Sequence, residues 1–148
     1  MMRLFIILCL LPLAILGQYS PGPSPKDITL IVGAADIGST GVKACANVAT
    51  ARTIVAARLV SNALPTGANL VVDVKTVALS SYTGTGAASS ITASAVPTIA
   101  TGDANPRYSD TTLTGWTKAV AANTVVCVAI NTAPTGGATW AALTLEAR

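Results

Sequence analysis

Chemistry on this chain must be done without histidine, since the sequence has none. That excludes Ser-His-Asp and Cys-His mechanisms and removes the commonest transition-metal ligand. The acids are Asp27, Asp36, Asp73, Asp103, Asp110 and Glu146. A glycosidase needs two such carboxyls facing each other across a cleft, and no spacing here signals such a pair. Asp73 falls within a strand-like run, so it is expected outward or bonded at a strand end. Asp103, Asn105 and Asp110 lie together on a loop-type stretch. Hard oxygen ligands on a loop suit Ca²⁺, which makes them a weak metal candidate; the competing reading is a hydrogen-bonded turn. No organic cofactor motif is present, and no CxxC metal motif.

Cys45 and Cys127 are the two cysteines outside the leader-like N-terminus. Each sits in an alternating apolar run. Val42, Ala44, Ala46 and Val48 share one face, with Lys43, Cys45 and Asn47 on the other. Val126, Val128 and Ile130 likewise oppose Val125, Cys127 and Ala129. A period of two is the strand signature, and it puts both cysteines on faces opposite the core set. If the two strands are neighbours, a disulfide across the outer face is feasible; two free thiols is the alternative.

Aromatic residues are few, so their positions carry weight. The alternation of Ala141, Leu143 and Leu145 inward leaves Trp140, Ala142, Thr144 and Glu146 outward. An outward tryptophan on a flat sheet can stack on a sugar ring or bury into a neighbouring subunit. Tyr82 and Tyr108, both on loop-type stretches, are the other surface-contact candidates. Trp116 is expected instead to cap an open end of the core, with its indole N–H bonded.

The elements that must position these residues are strands. Of 148 residues, 51% are hydrophobic and only 10% charged. A helical bundle needs more charge than that on its outer faces, whereas short strands with small side chains and polar turns do not. The predicted strands are Ile28–Val32, Gly41–Val48, Thr53–Val60, Asn69–Val77, Ser90–Ala95, Thr124–Asn131 and Ala138–Ala147. The stretch from Leu79 to Ala88 reads as a long exposed loop, and Pro134-Thr135-Gly136-Gly137 as a tight turn. The expected fold is all-β, an antiparallel β-sandwich of about eight strands, jelly-roll-like or Ig-like.

Ahead of it, residues 1–17 carry a basic start and an apolar run, as a secretory signal peptide with a signal-like helix does; a misassigned start or a short membrane anchor would read the same way. Residues 18–26 form a Pro/Gly/Ser-rich linker, and residues 27–148 the sandwich domain. After removal of the leader, no membrane association is expected. The net charge of +3 comes from scattered basic residues, which disfavours a nucleic-acid partner.

The order SITAS, PTIATG, SDTTLTGWT, VAAN and an alternating V-x-V-x-I, closed by Ala142-Leu143-Thr144-Leu145-Glu146, resembles small β-sandwich proteins of tailed phages and prophages. Those are virion or tail-associated structural proteins. The likeness runs from about Ile28 to Ala147, including the Pro65–Val74 block. The chain has Asn123-Thr124 where the family turns with Gly-Asp, and Lys75 where it has tryptophan. The resemblance implies a non-enzymatic structural or adhesion protein of the virion, contacting other virion proteins or copies of itself as a homo-oligomer. The leader implies instead an extracellular binding module for a ligand such as a cell-surface glycan.

Overall fold

The computed structural model describes residues 27–84 and 88–148. The expected leader and linker therefore lie outside the described residues, as do three positions of the Leu79–Ala88 loop.

The described residues form ten strands: β1 (Ile28–Val32), β2 (Gly41–Val48), β3 (Arg52–Ser61), β4 (Leu70–Ala78), β5 (Ser89–Ser90), β6 (Thr98–Ile99), β7 (Arg107–Asp110), β8 (Ala119–Val120), β9 (Thr124–Thr132) and β10 (Ala141–Ala147). One short helical turn, α1 (Ala34–Ile37), links β1 to β2. All pairings are antiparallel. Sheet one runs β1-β10-β3-β7, with β8 also on β3; sheet two runs β2-β9-β4-β5, with β6 also on β4. The two sheets form a β-sandwich. Pairing is nested: the first strand meets the last, β2 meets β9, and β3 and β4 meet the short middle strands.

The core is what period-two alternation requires. Leu30, Val32, Leu59, Leu143 and Leu145 from sheet one meet Leu70, Val72, Val74, Val126, Val128 and Ile130 from sheet two, all buried. Burying each such side chain contributes about 1.5–3 kcal/mol, which lets a core nearly free of aromatic rings hold.

Three local expectations need correction. In β2 the register shifts between Val42 and Ala44, a bulge at Lys43, so Val42 stands opposite Ala129 on the outer face rather than with Ala44 and Ala46. The strand expected at Ser90–Ala95 stops at Ser90. There the Ser90 and Thr92 hydroxyls donate to Asp73 Oδ1 at 2.7 and 2.6 Å, and Ala93 takes a left-handed conformation at φ 49°. Side-chain hydrogen bonding of this kind competes with a sheet ladder and turns the chain. Asp73 is thus on the outer face of β4 but buried, holding the return of the loop. Finally, the last strand starts at Ala141, because the turn through Gly137 (φ 80°) extends to Thr139. Asn123 adopts the left-handed geometry (φ 56°) that Asn tolerates.

Trp116 is 7% exposed and donates its indole N–H to the Ala95 carbonyl at 2.8 Å. Ala95 follows β5 in sheet two, while Trp116 lies between β7 and β8 of sheet one. The ring therefore closes a side of the sandwich, rather than an end, and Thr117 N donating to Ile91 O at 2.8 Å closes the same side. On the opposite side β1 and β2 lie close without pairing.

Candidate contact face

Trp140 stands just before β10 and is 42% exposed. Its backbone is held by one residue of the facing segment. Asn62 Oδ1 accepts from Trp140 N at 3.1 Å and from Thr139 N at 2.9 Å, and Asn62 Nδ2 donates to Thr139 Oγ1 at 2.9 Å. Asn62 N also donates to the Trp140 carbonyl at 3.4 Å. Behind this clamp the two adjoining loops are joined at Thr66, whose N–H donates to Gly136 O at 2.9 Å. At Gly137 an added Cβ would collide with the Leu64 carbonyl, so only glycine fits that crossing. The backbone that carries the indole is thus ordered before any contact forms.

The register extends the apolar surface from Trp140. Ile31, Ala142 and Val60 are directly opposite one another across β1, β10 and β3. Ile31 is 65% exposed and Val60 is also exposed. The adjacent row is Thr29, Thr144 and Arg58, and Arg58 pairs diagonally with Glu146. Both of those side chains are substantially open to solvent, so the ion pair adds at most about 1 kcal/mol. On the outer face of sheet one this short apolar row ends at Arg107 of β7, opposite Val60, with Trp140 two residues before Ala142 along the chain and the Arg58–Glu146 pair on the other flank. Such a surface is suited to contact through area and shape.

The other candidates are dispersed. Tyr108 is opposite Leu59 in the register, so it faces inward, half-buried against the core; as a surface contact it is corrected. Its hydroxyl donates to Asp110 Oδ2 at 3.3 Å. Asp110 Oδ1 accepts from Leu113 N at 3.0 Å, Thr112 N at 2.7 Å and Thr112 Oγ1 at 2.8 Å. Asp103 Oδ2 accepts from Ala100 N at 2.7 Å, and the Asn105 carbonyl accepts from Arg107 N at 2.8 Å. The Asp103 and Asp110 carboxylates thus bond N–H groups of their own turns, while Asn105 takes part through its backbone carbonyl. No cluster of three or more Cys, Asp or Glu side chains suited to a metal occurs among the described residues. Tyr82 is exposed next to Leu79, at the start of the loop.

The Tyr108–Asp110 pair sets a pH dependence. Burial, then the neighbouring Asp110 charge, then the hydrogen bond push the Tyr108 phenol above its usual 10.0. The Leu113 and Thr112 N–H groups hold Asp110 below the usual 3.8. A depressed carboxyl contributes stability that is present above its unfolded value and lost as pH falls through its folded one. A raised phenol contributes stability that is present below pH 10 and lost as pH rises through its folded value. Ultraviolet titration should therefore give one of the three tyrosines a midpoint above 10, and Asp110→Asn should bring that midpoint down. An unmoved midpoint would refute the pairing.

Cys45 and Cys127 are directly opposite in the β2–β9 register and are bonded, with S–S 2.07 Å and Cα–Cα 4.0 Å. The disulfide lies on the outer face of sheet two, in line with Lys75 of β4.

The sequence signal for Trp140 was direct, because one tryptophan stood out of phase with the core. Ile31, Val60 and Asn62 had no such signal; only the pairing of β1, β10 and β3 brings them together. Among the described residues no helix is long and apolar enough to cross a membrane. Comparison with known protein families, with curated proteins and with solved structures finds no match to this chain.

Proposed function

We propose that this chain is a non-enzymatic, virion-type structural or adhesion protein that acts through surface contacts as part of an oligomer. The observation carrying this reading is Trp140, exposed two residues before Ala142 of the Ile31–Ala142–Val60 row and held by Asn62. Strand order supports it. First-with-last nesting across two sheets is the order of a jelly roll, with β5/β6 and β7/β8 each standing for one broken strand. Jelly rolls recur in viral capsid and lectin domains. The resemblance to phage β-sandwich proteins points the same way.

Mass spectrometry of purified particles from cells carrying the gene tests the proposal. The chain should co-purify with the particles, and Trp140→Ala should lower its incorporation about tenfold or more, the effect of losing a central aromatic anchor. A wild-type chain found only free in the medium would refute the virion reading.

Trp140 also favours a second reading, a secreted or cell-surface module that stacks its indole on a glycan. A glycan array decides that case. Binding by the wild type and its loss in Trp140→Ala would establish it; no glycan bound by the wild type would end it.

A further inference from the structure

Every free sheet edge among the described residues carries a feature that discourages pairing, except one. The β2 edge is bulged at Lys43, which supplies both a kink and a charge. Strand β7 has four residues and begins and ends on charged ones, Arg107 and Asp110. Strands β5, β6 and β8 have two residues each. These are the usual guards against strand addition. Strand β1, Ile28-Thr29-Leu30-Ile31-Val32, has none: no proline, no charge, and an unbroken five-residue register with β10, its only partner among the described residues. It also carries Ile31, the most exposed large apolar side chain of the described residues.

The geometry points to β1 as the dimerisation edge of this protein, taken up by β1 of a second copy, antiparallel about a two-fold axis. The inference rests on the contact-protein reading above and names its partner. A two-fold antiparallel pair lets one strand complement itself, so a single edge serves both copies. Sheet one then continues as β7-β3-β10-β1-β1-β10-β3-β7, centred on Leu30, and the Ile31 row of each copy runs on into the Thr29 row of the other.

Charge permits this arrangement. Asp27 and Arg52 lie at the end where β1 begins, while Asp36 and Lys43 flank the start of β2 at the other end. Each end of the β1/β2 side thus holds one charge of each sign, and the two-fold axis sets no like-charged row against another. Area sets the strength. That side is about 27 Å long, for eight residues, and about 20 Å across two layers with their side chains, on the order of 500 Å². Stable dimers bury about 800 Å² per partner, so the association should be reversible and concentration-dependent.

The test is sedimentation of the full chain from low to high micromolar concentration. The wild type should pass from monomer to dimer. A Thr29→Lys/Ile31→Lys variant places lysines opposite one another and should weaken dimerisation about tenfold or more. A Thr29→Glu/Ile31→Glu variant should do the same, and mixing the two should restore the dimer, a rescue that misfolded chains could not give. A wild type that stays monomeric overturns the inference, as does a dimer indifferent to these substitutions or a mixture that fails to associate. Hydrogen exchange of the β1 amides separates the remaining occupant. Protection that grows with concentration supports a second copy, whereas protection independent of concentration assigns the edge to the chain's own segment before Asp27 and overturns it. Neither failure touches the Trp140 reading, which is measured on particles.

Discussion

Reducing the Cys45–Cys127 bond should cost about 4.5 kcal/mol of stability, the loop-entropy value for the 82-residue separation it spans. Domains of this size are stable by only about 5–15 kcal/mol, so the bond accounts for a large share of the margin. Its position explains why the loss should be felt locally as well. Among the described residues strand β2 is an edge strand with β9 as its only partner, and its ladder is already interrupted at Lys43. Without the bond, little besides five regular pairs and three inward side chains (Ala44, Ala46 and Val48) holds it. Thermal unfolding of the oxidised chain, compared with a Cys45→Ala/Cys127→Ala variant, should show a midpoint lower by roughly 15–25 °C. A change of only one or two degrees would mean that the cross-link constrains a denatured state that is already compact.

Replacing Trp116 with alanine should cost about 3–5 kcal/mol, the range for truncating a large buried aromatic side chain. Two effects combine there, and a second substitution separates them. Trp116→Phe keeps most of the packing but leaves the Ala95 carbonyl without its indole donor, a loss of about 1–3 kcal/mol. Urea denaturation of both variants gives the division. Because Trp116 and Thr117 tie the 91–95 segment of one sheet to the other, amide exchange in that segment should also accelerate in Trp116→Ala. If both variants unfold with the wild type, the ring does not close that side of the sandwich.

Strands were legible where side chains alternate over six or more residues, as in β4, β9 and β10. There one face meets the core and the other does not, so the period alone fixes the orientation. The same rule placed Trp140 outward and each cysteine on the face of its strand opposite the core; that the two faces are one follows only from the β2–β9 pairing. It failed where a single residue breaks the period. Lys43 looked like an ordinary outward residue, but as a bulge it moves Val42 to the opposite face. Around Ser90 and Thr92 the β-type composition is real, yet hydroxyl donors aimed at Asp73 prevail over the ladder. Tyr108 misled because a four-residue strand at a sheet edge resembles a loop in sequence. Its ring turns inward only because β7 pairs with β3. The contact face was half legible for a similar reason: Ile31, Val60 and Trp140 come from three segments, and only long-range pairing makes them neighbours.

The buried carboxylate on β4 has a practical consequence. By gripping Ser90 and Thr92 it fixes where the chain rejoins sheet two, whatever path is taken from Ser81 onward. The length and content of that excursion are thereby uncoupled from the frame. A foreign peptide spliced between Gly84 and Ala88 should therefore leave the thermal unfolding of the frame unchanged, so that this position would serve for engineered display.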